Sequence, residues 1–366
     1  MSQTEKILRK EQFDRDDLVK LLNTDQQERL LLFKKSEEVK QSFVGNKVYF
    51  RGLIEFSNRC TKNCMYCGVR AGNTKVIRYD LTDDEVLEAA RFAHQQRFAS
   101  IVIQSGEKST ASFTARIETL LKKIHEATRH ELHVTLSLGE QSESTYRRWR
   151  EAGAQRYLLR IEVSNPELYK KLHPDNGKHD YNRRLEALHT LKSLGYQLGT
   201  GVMIGLPFQS PGDLADDLLF MQALDIDMAG MGPYIEHHDT PLYRYRDLLL
   251  PRKDRFYLSL KMVALLRIMM KNINIAATTA MQSIDPQGRE KAIKVGANVI
   301  MPNLTPLKYR ENYLLYQDKP CIDEEAEQCR GCLEARIHMA GAEIAWGEWG
   351  DSDHYQKRQA GVPETD

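Results

Sequence analysis

Short β-branched runs recur eight times between residues 47 and 303, each followed by a stretch of helical periodicity, and few folds accommodate that rhythm. The runs are VYFRGLIEF (48–56), SIVIQSG (100–106), HVTLSLG (133–139), RYLLRIE (156–162), QLGTGVMIG (197–205), DMAGMGPYI (227–235), NINIAATT (272–279) and ANVIMPN (297–303). Between them lie segments such as LTDDEVLEAARFAHQQ, FTARIETLLKKIHEAT and FYLSLKMVALLRIMM, whose apolar residues fall three and four apart. Strands that alternate with helices pair in parallel, because each helix carries the chain back across the sheet. Eight such units predict an α/β fold, a complete (βα)8 TIM barrel over residues 47–335, with working residues at the carboxyl ends of the strands and in the loops beyond. A doubly wound open sheet is the second arrangement this rhythm allows.

An ordinary barrel fills its middle with branched hydrocarbon side chains. Here, alternation along RYLLRIE places Arg156, Leu158, Arg160 and Glu162 on one side, and in HVTLSLG it sets His133, Thr135 and Ser137 against Val134, Leu136 and Leu138. If the apolar sets face the helices, the polar sets face the lumen, where charge is costly unless paired or bound to ligand. The strands therefore predict a cavity holding something polar and partly anionic. Pairing of Arg156, Arg160 and Glu162 with one another, or a place on the barrel rim, is the plainer alternative.

Residues 1–46 read as polar, amphipathic helices with DRDD and NTDQQ supplying caps, an extension ahead of the barrel and not part of its core. Residues 336–366 form a tail that is polar and poor in aromatics after Trp349, and it is expected to be partly disordered. Lys and Arg total 52 against 51 Asp and Glu, so bulk charge makes no case for nucleic acid or an anionic membrane. No apolar run approaches the roughly 18 residues of a membrane span, and the start MSQTEKILRKEQFDRDD is too charged for a signal peptide. The chain reads as cytoplasmic.

All six cysteines fall in two groups, Cys60/Cys64/Cys67 and Cys321/Cys329/Cys332. Clustering of that kind in a reducing compartment points to metal or redox chemistry. The first group has C-x3-C-x2-C spacing. Three thiolates can hold three irons of a cubane cluster and leave the fourth iron open. Zinc would recruit a fourth ligand that Thr61, Lys62, Asn63, Met65 and Tyr66 do not offer, and a redox C-x2-C has no need of Cys60. With an aromatic before the third cysteine, after the first strand of a βα barrel, CTKNCMYC resembles the radical S-adenosylmethionine (SAM) superfamily.

That resemblance implies a [4Fe-4S] cluster on Cys60, Cys64 and Cys67 that cleaves SAM reductively to a 5′-deoxyadenosyl radical. It also implies SAM contacts from Tyr66, from Gln104, Ser105 and Glu107 in QSGE, and from Glu162, Arg184 and Met203; Ser105 stands where relatives often carry glycine. More specifically, GLIEFSNRCTKNCMYCGVR, AGAQRYLLRIE, GYQLGTGVMIGLPFQS, DMAGMGPYIEHHDTPL, NINIAATTAMQS and ANVIMPNLTPLKYRENYLLY are similar to the [FeFe]-hydrogenase maturases of the HydE type. By that likeness Thr135, Arg156, Arg160, Thr278, Thr279, Met301 and Tyr316 bind substrate, a mononuclear iron carbonyl cyanide carried on cysteine. Cys321, Cys329 and Cys332, spaced C-x7-C-x2-C, would hold an accessory iron–sulfur cluster, with structural zinc as the lesser reading. The partners implied are the other hydrogenase maturases and an electron donor. Ile161 and Val163 depart from the family pattern, and no metal role is carried over to them.

Two other radical SAM activities share the barrel and the first motif. Biotin synthase draws on cysteines in its barrel strands, and this chain has none between Cys67 and Cys321. Methylornithine synthase, which acts on an amino-acid derivative, normally lacks the C-terminal cysteines. An iron–sulfur sensor or scaffold that binds a cluster without turnover is the reading from outside enzymology, and it predicts no 5′-deoxyadenosine.

Overall fold

A computed structural model describes residues 1–323 and 326–361, apart from the side chain of Cys329. Twelve strands are present among these residues: β1 Lys47–Phe50, β2 Gly52–Ser57, β3 Ser100–Ser105, β4 His133–Ser137, β5 Ala154–Leu158, β6 Gln197–Thr200, β7 Met203–Ile204, β8 Met228–Ala229, β9 Gly232–Pro233, β10 Asn274–Ile275, β11 Val299–Ile300 and β12 Glu343–Ile344. Seven form a curled parallel sheet in the order β10-β8-β6-β5-β4-β3-β2. A second sheet runs β11-β1-β12 and a third pairs β7 with β9. The expected βα alternation and parallel pairing are thus observed, as a half-barrel of seven strands with smaller sheets beside it. The eight expected runs are shorter and more broken than alternation suggests.

The break after β5 has a local cause. Thr200 Oγ1 accepts the Ile161 N–H at 3.1 Å and donates to the Leu159 carbonyl at 2.8 Å, taking the place of a backbone rung. The chain then rejoins its neighbour at Glu162, whose N–H donates to Gly201 and whose carbonyl accepts from Met203. Glu162 sits at φ 70°, a conformation uncommon outside glycine.

Several helices begin where capping chemistry predicts. Thr82 and Glu85 cap Asp83–Gln95 reciprocally, Ser210 and Asp213 do the same for Pro211–Ala223, and the apolar stripe of Asp83–Gln95 buries Val86, Leu87, Ala89, Ala90 and Ala93. The N-terminal extension is more than a prelude. Leu18, Leu21 and Leu32 are fully buried in the main core, Ser36 donates to the Val295 carbonyl at 2.5 Å, and Lys40 reaches the Ile293 carbonyl at 2.7 Å. Burial pulls the Lys40 ammonium down to about 8.

Residues 336–361 of the C-terminal segment pack onto the rest of the fold, where composition alone suggests partial disorder. Helix Ala326–Met339 runs across the expected division at 335/336, and β12 then adds to β1 in parallel, Lys47 opposite Glu343. Residues 349–351 pass beneath the amino ends of the strands. The Gly350 carbonyl accepts from Arg51 at 3.0 Å and Asn274 at 2.8 Å, Asp351 accepts from Gln197 at 2.9 Å and from Arg156, and Trp349 stacks on His133 with ring centroids 3.9 Å apart. Polar side chains expected in the lumen are here the floor, and the tail supplies their partners. Composition reads as disorder because the contacts that fix residues 349–351 are polar and made to distant residues. No described helix is long and apolar enough to cross a membrane.

Candidate active site

At the carboxyl ends of the strands lies a cavity of about 340 Å³. The three cysteines enter on the loop after β2. Arg78, a residue with no motif to announce it, holds that loop: its guanidinium donates to the carbonyls of Asn58, Val69, Arg70 and Asn73 at 2.6, 2.7, 2.7 and 2.9 Å. Met65 bonds through its N–H to Leu172 and through its carbonyl to Leu242, and Gly68 donates to Leu315. Cys60, Cys64 and Cys67 are half-buried free thiols that line the cavity. The Cys60 sulfur accepts two backbone N–H groups, from Glu107 at 3.3 Å and Lys62 at 3.4 Å.

Burial raises all three thiols, Cys64 to about 12 and Cys67 higher still, and for these two the neighbouring sulfurs add to the effect. Three adjacent thiolates therefore need a cationic centre, and this donor set suits a cluster bound by three cysteines. The ligand atoms of His173 and His179 lie within 4.8 Å of Cys64 and of one another. Both rings are engaged otherwise: His179 Nε2 accepts the Asn63 N–H at 3.0 Å, and His173 bonds the Tyr169 carbonyl at 2.9 Å and faces the Tyr66 hydroxyl at 3.4 Å.

Beside the cysteines four buried charges alternate in sign. Lys62 Nζ lies 3.1 Å from Glu107 Oε1 and 2.9 Å from Glu140 Oε2; Arg184 lies 3.1 Å from Glu140 Oε1 and 3.7 Å from Glu107 Oε2. Burial pushes the Glu107 carboxyl up against the pull of Arg184 and Lys62. Burial opposes the charge on Arg184, but Glu140 and Glu107 outweigh it and hold the guanidinium ionised. Room for Glu107 depends on Gly139, at φ 78°, where an added Cβ would stand 2.2–2.5 Å from the Glu107 side chain. Across the cavity Arg160 pairs with Glu162 at 3.0 Å, and Thr279 shares a 2.7 Å hydrogen bond with Tyr316, whose hydroxyl burial raises to about 12.

Residues 54–221 match the model of the radical SAM superfamily. Along the whole chain, the [FeFe] hydrogenase maturase subunit HydE of Thermotoga maritima is 45% identical over 347 residues, 94% of this chain and 95% of that protein. The chain belongs to the HydE family of hydrogenase maturases. It is a radical SAM enzyme, and a [4Fe-4S] cluster and SAM are its cofactors. The 3-methylornithine synthase of Methanosarcina acetivorans stands further off, at 28% identity over 84% of this chain and 85% of that one. A crystal structure of methylornithine synthase (PylB) superposes with a TM-score of 0.79 at 23% identity, covering 94% of this chain and 98% of that one, a likeness of fold.

Within this HydE-family cavity the structure brings together Cys60, Cys64, Cys67, Tyr66, Gln104, Ser105, Glu107, Arg160, Glu162, Arg184, Met203, Thr278, Thr279, Met301 and Tyr316. Two expected residues fall elsewhere. Thr135 lines a separate chamber of about 20 Å³ below, and Arg156 is fully buried against Asp351 and the Trp349 carbonyl. Alternation along β5 correctly turned Arg156 inward, but at the closed end of the lumen. Cys321 borders a side cavity of about 80 Å³ and accepts an N–H of Arg289 at 3.3 Å, whereas Cys332 is exposed; the Cys329 side chain lies outside the described residues. Lys62, Glu140 and Arg78 were missed. Charged residues in a cysteine loop and just past a strand end, as in CTKNC and SLGE, were the available signal.

Proposed function

We propose that this chain acts on the sulfur of a cysteine-borne iron carbonyl cyanide, as one step in assembling the dinuclear iron subcluster of [FeFe]-hydrogenase. The observation that carries this reading is one cavity with the thiol triplet at its mouth and Arg160, Thr278, Thr279, Met301 and Tyr316 on its other walls. When bound, the cluster and SAM supply a 5′-deoxyadenosyl radical by one-electron cleavage of the sulfonium. Cys60, Cys64 and Cys67 hold the cluster. Glu107 and Arg184 offer an acceptor and a donor for the amino and carboxylate groups of SAM, while Gln104, Ser105, Glu162, Met203 and Tyr66 frame its remainder. Arg160 donates to the anionic end of the substrate, and Tyr316, held protonated, keeps a neutral hydrogen bond beside it. The apolar walls keep water from a reactive intermediate.

We further infer that β11 closes the half-barrel into a complete (βα)8 barrel. Asn298 N donates to Ile275 and Ala277 N to Val299 on one side, while Tyr49 N and Arg51 N donate to Asn298 and Ile300 on the other. Cys321, Cys329 and Cys332 form the accessory iron–sulfur site in this reading, and cytoplasmic maturases and an electron donor are the partners. Anaerobically reconstituted protein should form 5′-deoxyadenosine from SAM, faster when the cysteine-bound iron complex is added. Cys67→Ala should abolish the product and Cys332→Ser should spare it. Turnover indifferent to the iron complex but stimulated by an amino-acid derivative would transfer the chain to the methylornithine synthase reaction.

A further inference from the structure

The cluster loop contributes one charged side chain to the walls of the cavity, Lys62, and its position is over-determined. The ammonium bridges Glu107 and Glu140 and also donates to the Lys178 carbonyl. The backbone N–H of the same residue, and that of Glu107, are the two donors to the Cys60 sulfur. Thr61 N donates to the Glu107 carbonyl at 2.9 Å, so the first cysteine and the carboxylate expected to meet SAM move as one body. Glu140 completes the square by holding Arg184 Nε at 3.1 Å. All four side chains are nearly sealed from solvent, with Glu140 only 3% exposed. Without Lys62, two carboxylates would face each other with Arg184 alone between them. Without Glu140, Arg184 and Lys62 would both turn to Glu107 and close it to an incoming ammonium.

We propose that Lys62 and Glu140 are positioning residues for SAM, a counter-ion pair that leaves Glu107 and Arg184 each with one face free for the amino-acid end of the ligand. This rests on the assignment of the cluster to Cys60, Cys64 and Cys67 and of the methionine end to Glu107 and Arg184. The ammonium of Lys62 is a positive charge two residues from Cys60, so it also favours the reduced, more negative cluster.

The test uses the full-length, anaerobically reconstituted protein with SAM as the probe, reading SAM affinity from the change it makes in the reduced-cluster EPR signal, and the cluster midpoint potential from a redox titration. Lys62→Met should weaken SAM about tenfold or more, the scale of a lost charge-assisted bond, and move the potential to more negative values; Lys62→Arg should restore most of both. Glu140→Gln, away from the cysteine loop, should raise the KM for SAM more than it lowers kcat, with iron content unchanged. If Lys62→Met fails to take up iron, Glu140→Gln and Lys62→Arg decide. SAM affinity within about twofold of wild type in Glu140→Gln, or in an iron-loaded Lys62→Met, overturns the proposal. A wild-type signal that ignores SAM would instead overturn the cluster assignment itself.

Discussion

At the scale of single residues, the site depends on positions whose identity is dictated by space as much as by chemistry. Gly139 lies early in the loop after β4 at φ 78°, with the Glu107 carboxylate packed where a side chain would start. Gly139→Ala should therefore displace Glu107, costing about 1–3 kcal/mol of stability by backbone strain and weakening SAM binding beyond what that loss explains. Thermal unfolding and equilibrium binding, measured on the same preparation, separate the two effects. The cysteines, QSGE and Arg160 were legible because their chemistry is local to a short motif. Lys62 and Glu140 were not, since a charged residue in a loop usually points to solvent, and only the meeting of three loops turns these two inward.

At the scale of elements, the C-terminal segment reverses what composition suggests. Asp351 meets Arg156, Gln197 and His133 from three different strands, and Arg156 is fully buried. Asp351→Asn leaves a buried guanidinium without its counter-charge and should destabilise the fold by about 3 kcal/mol, read from denaturant midpoints. Burial opposes ionisation of Asp351, but the nearby His133 ring, the Arg156 charge and the hydrogen bond from Gln197 outweigh that and hold the carboxyl below its ordinary 3.8. A carboxyl depressed in the folded state contributes stability that is complete above its unfolded value and lost as pH falls toward the folded one. Wild type and Asp351→Asn should thus differ most above about pH 4 and converge in stronger acid; parallel pH profiles would show that the pair contributes nothing.

At the scale of the whole molecule, the proposed closure of the half-barrel by β11 rests on a few polar contacts between short strands. Asn298 is fully buried; its side-chain Oδ1 accepts the Ile275 N–H at 2.9 Å, and its side-chain Nδ2 donates to Asn274 Oδ1 at 2.8 Å. Asn298→Ala should strand both partners and cost about 2–3 kcal/mol, with hydrogen exchange accelerating first at β10 and β11. Uniform acceleration over all strands would mean that the seam is no weaker than the rest of the sheet. The alternation of strand and helix, the parallel pairing and the helix starts follow from residue periodicity and caps, which act over a few neighbours along the chain. Such patterns determine that a curled parallel sheet forms and that thiols gather at the carboxyl end of its first strand. Only tertiary structure decided which inward arginine faces the cavity and which the floor, because Arg156 and Arg160 share one alternation and differ in depth along a strand. The same holds for residues 349–351, whose partners lie between 76 and 299 residues away along the chain and leave no trace in the local composition.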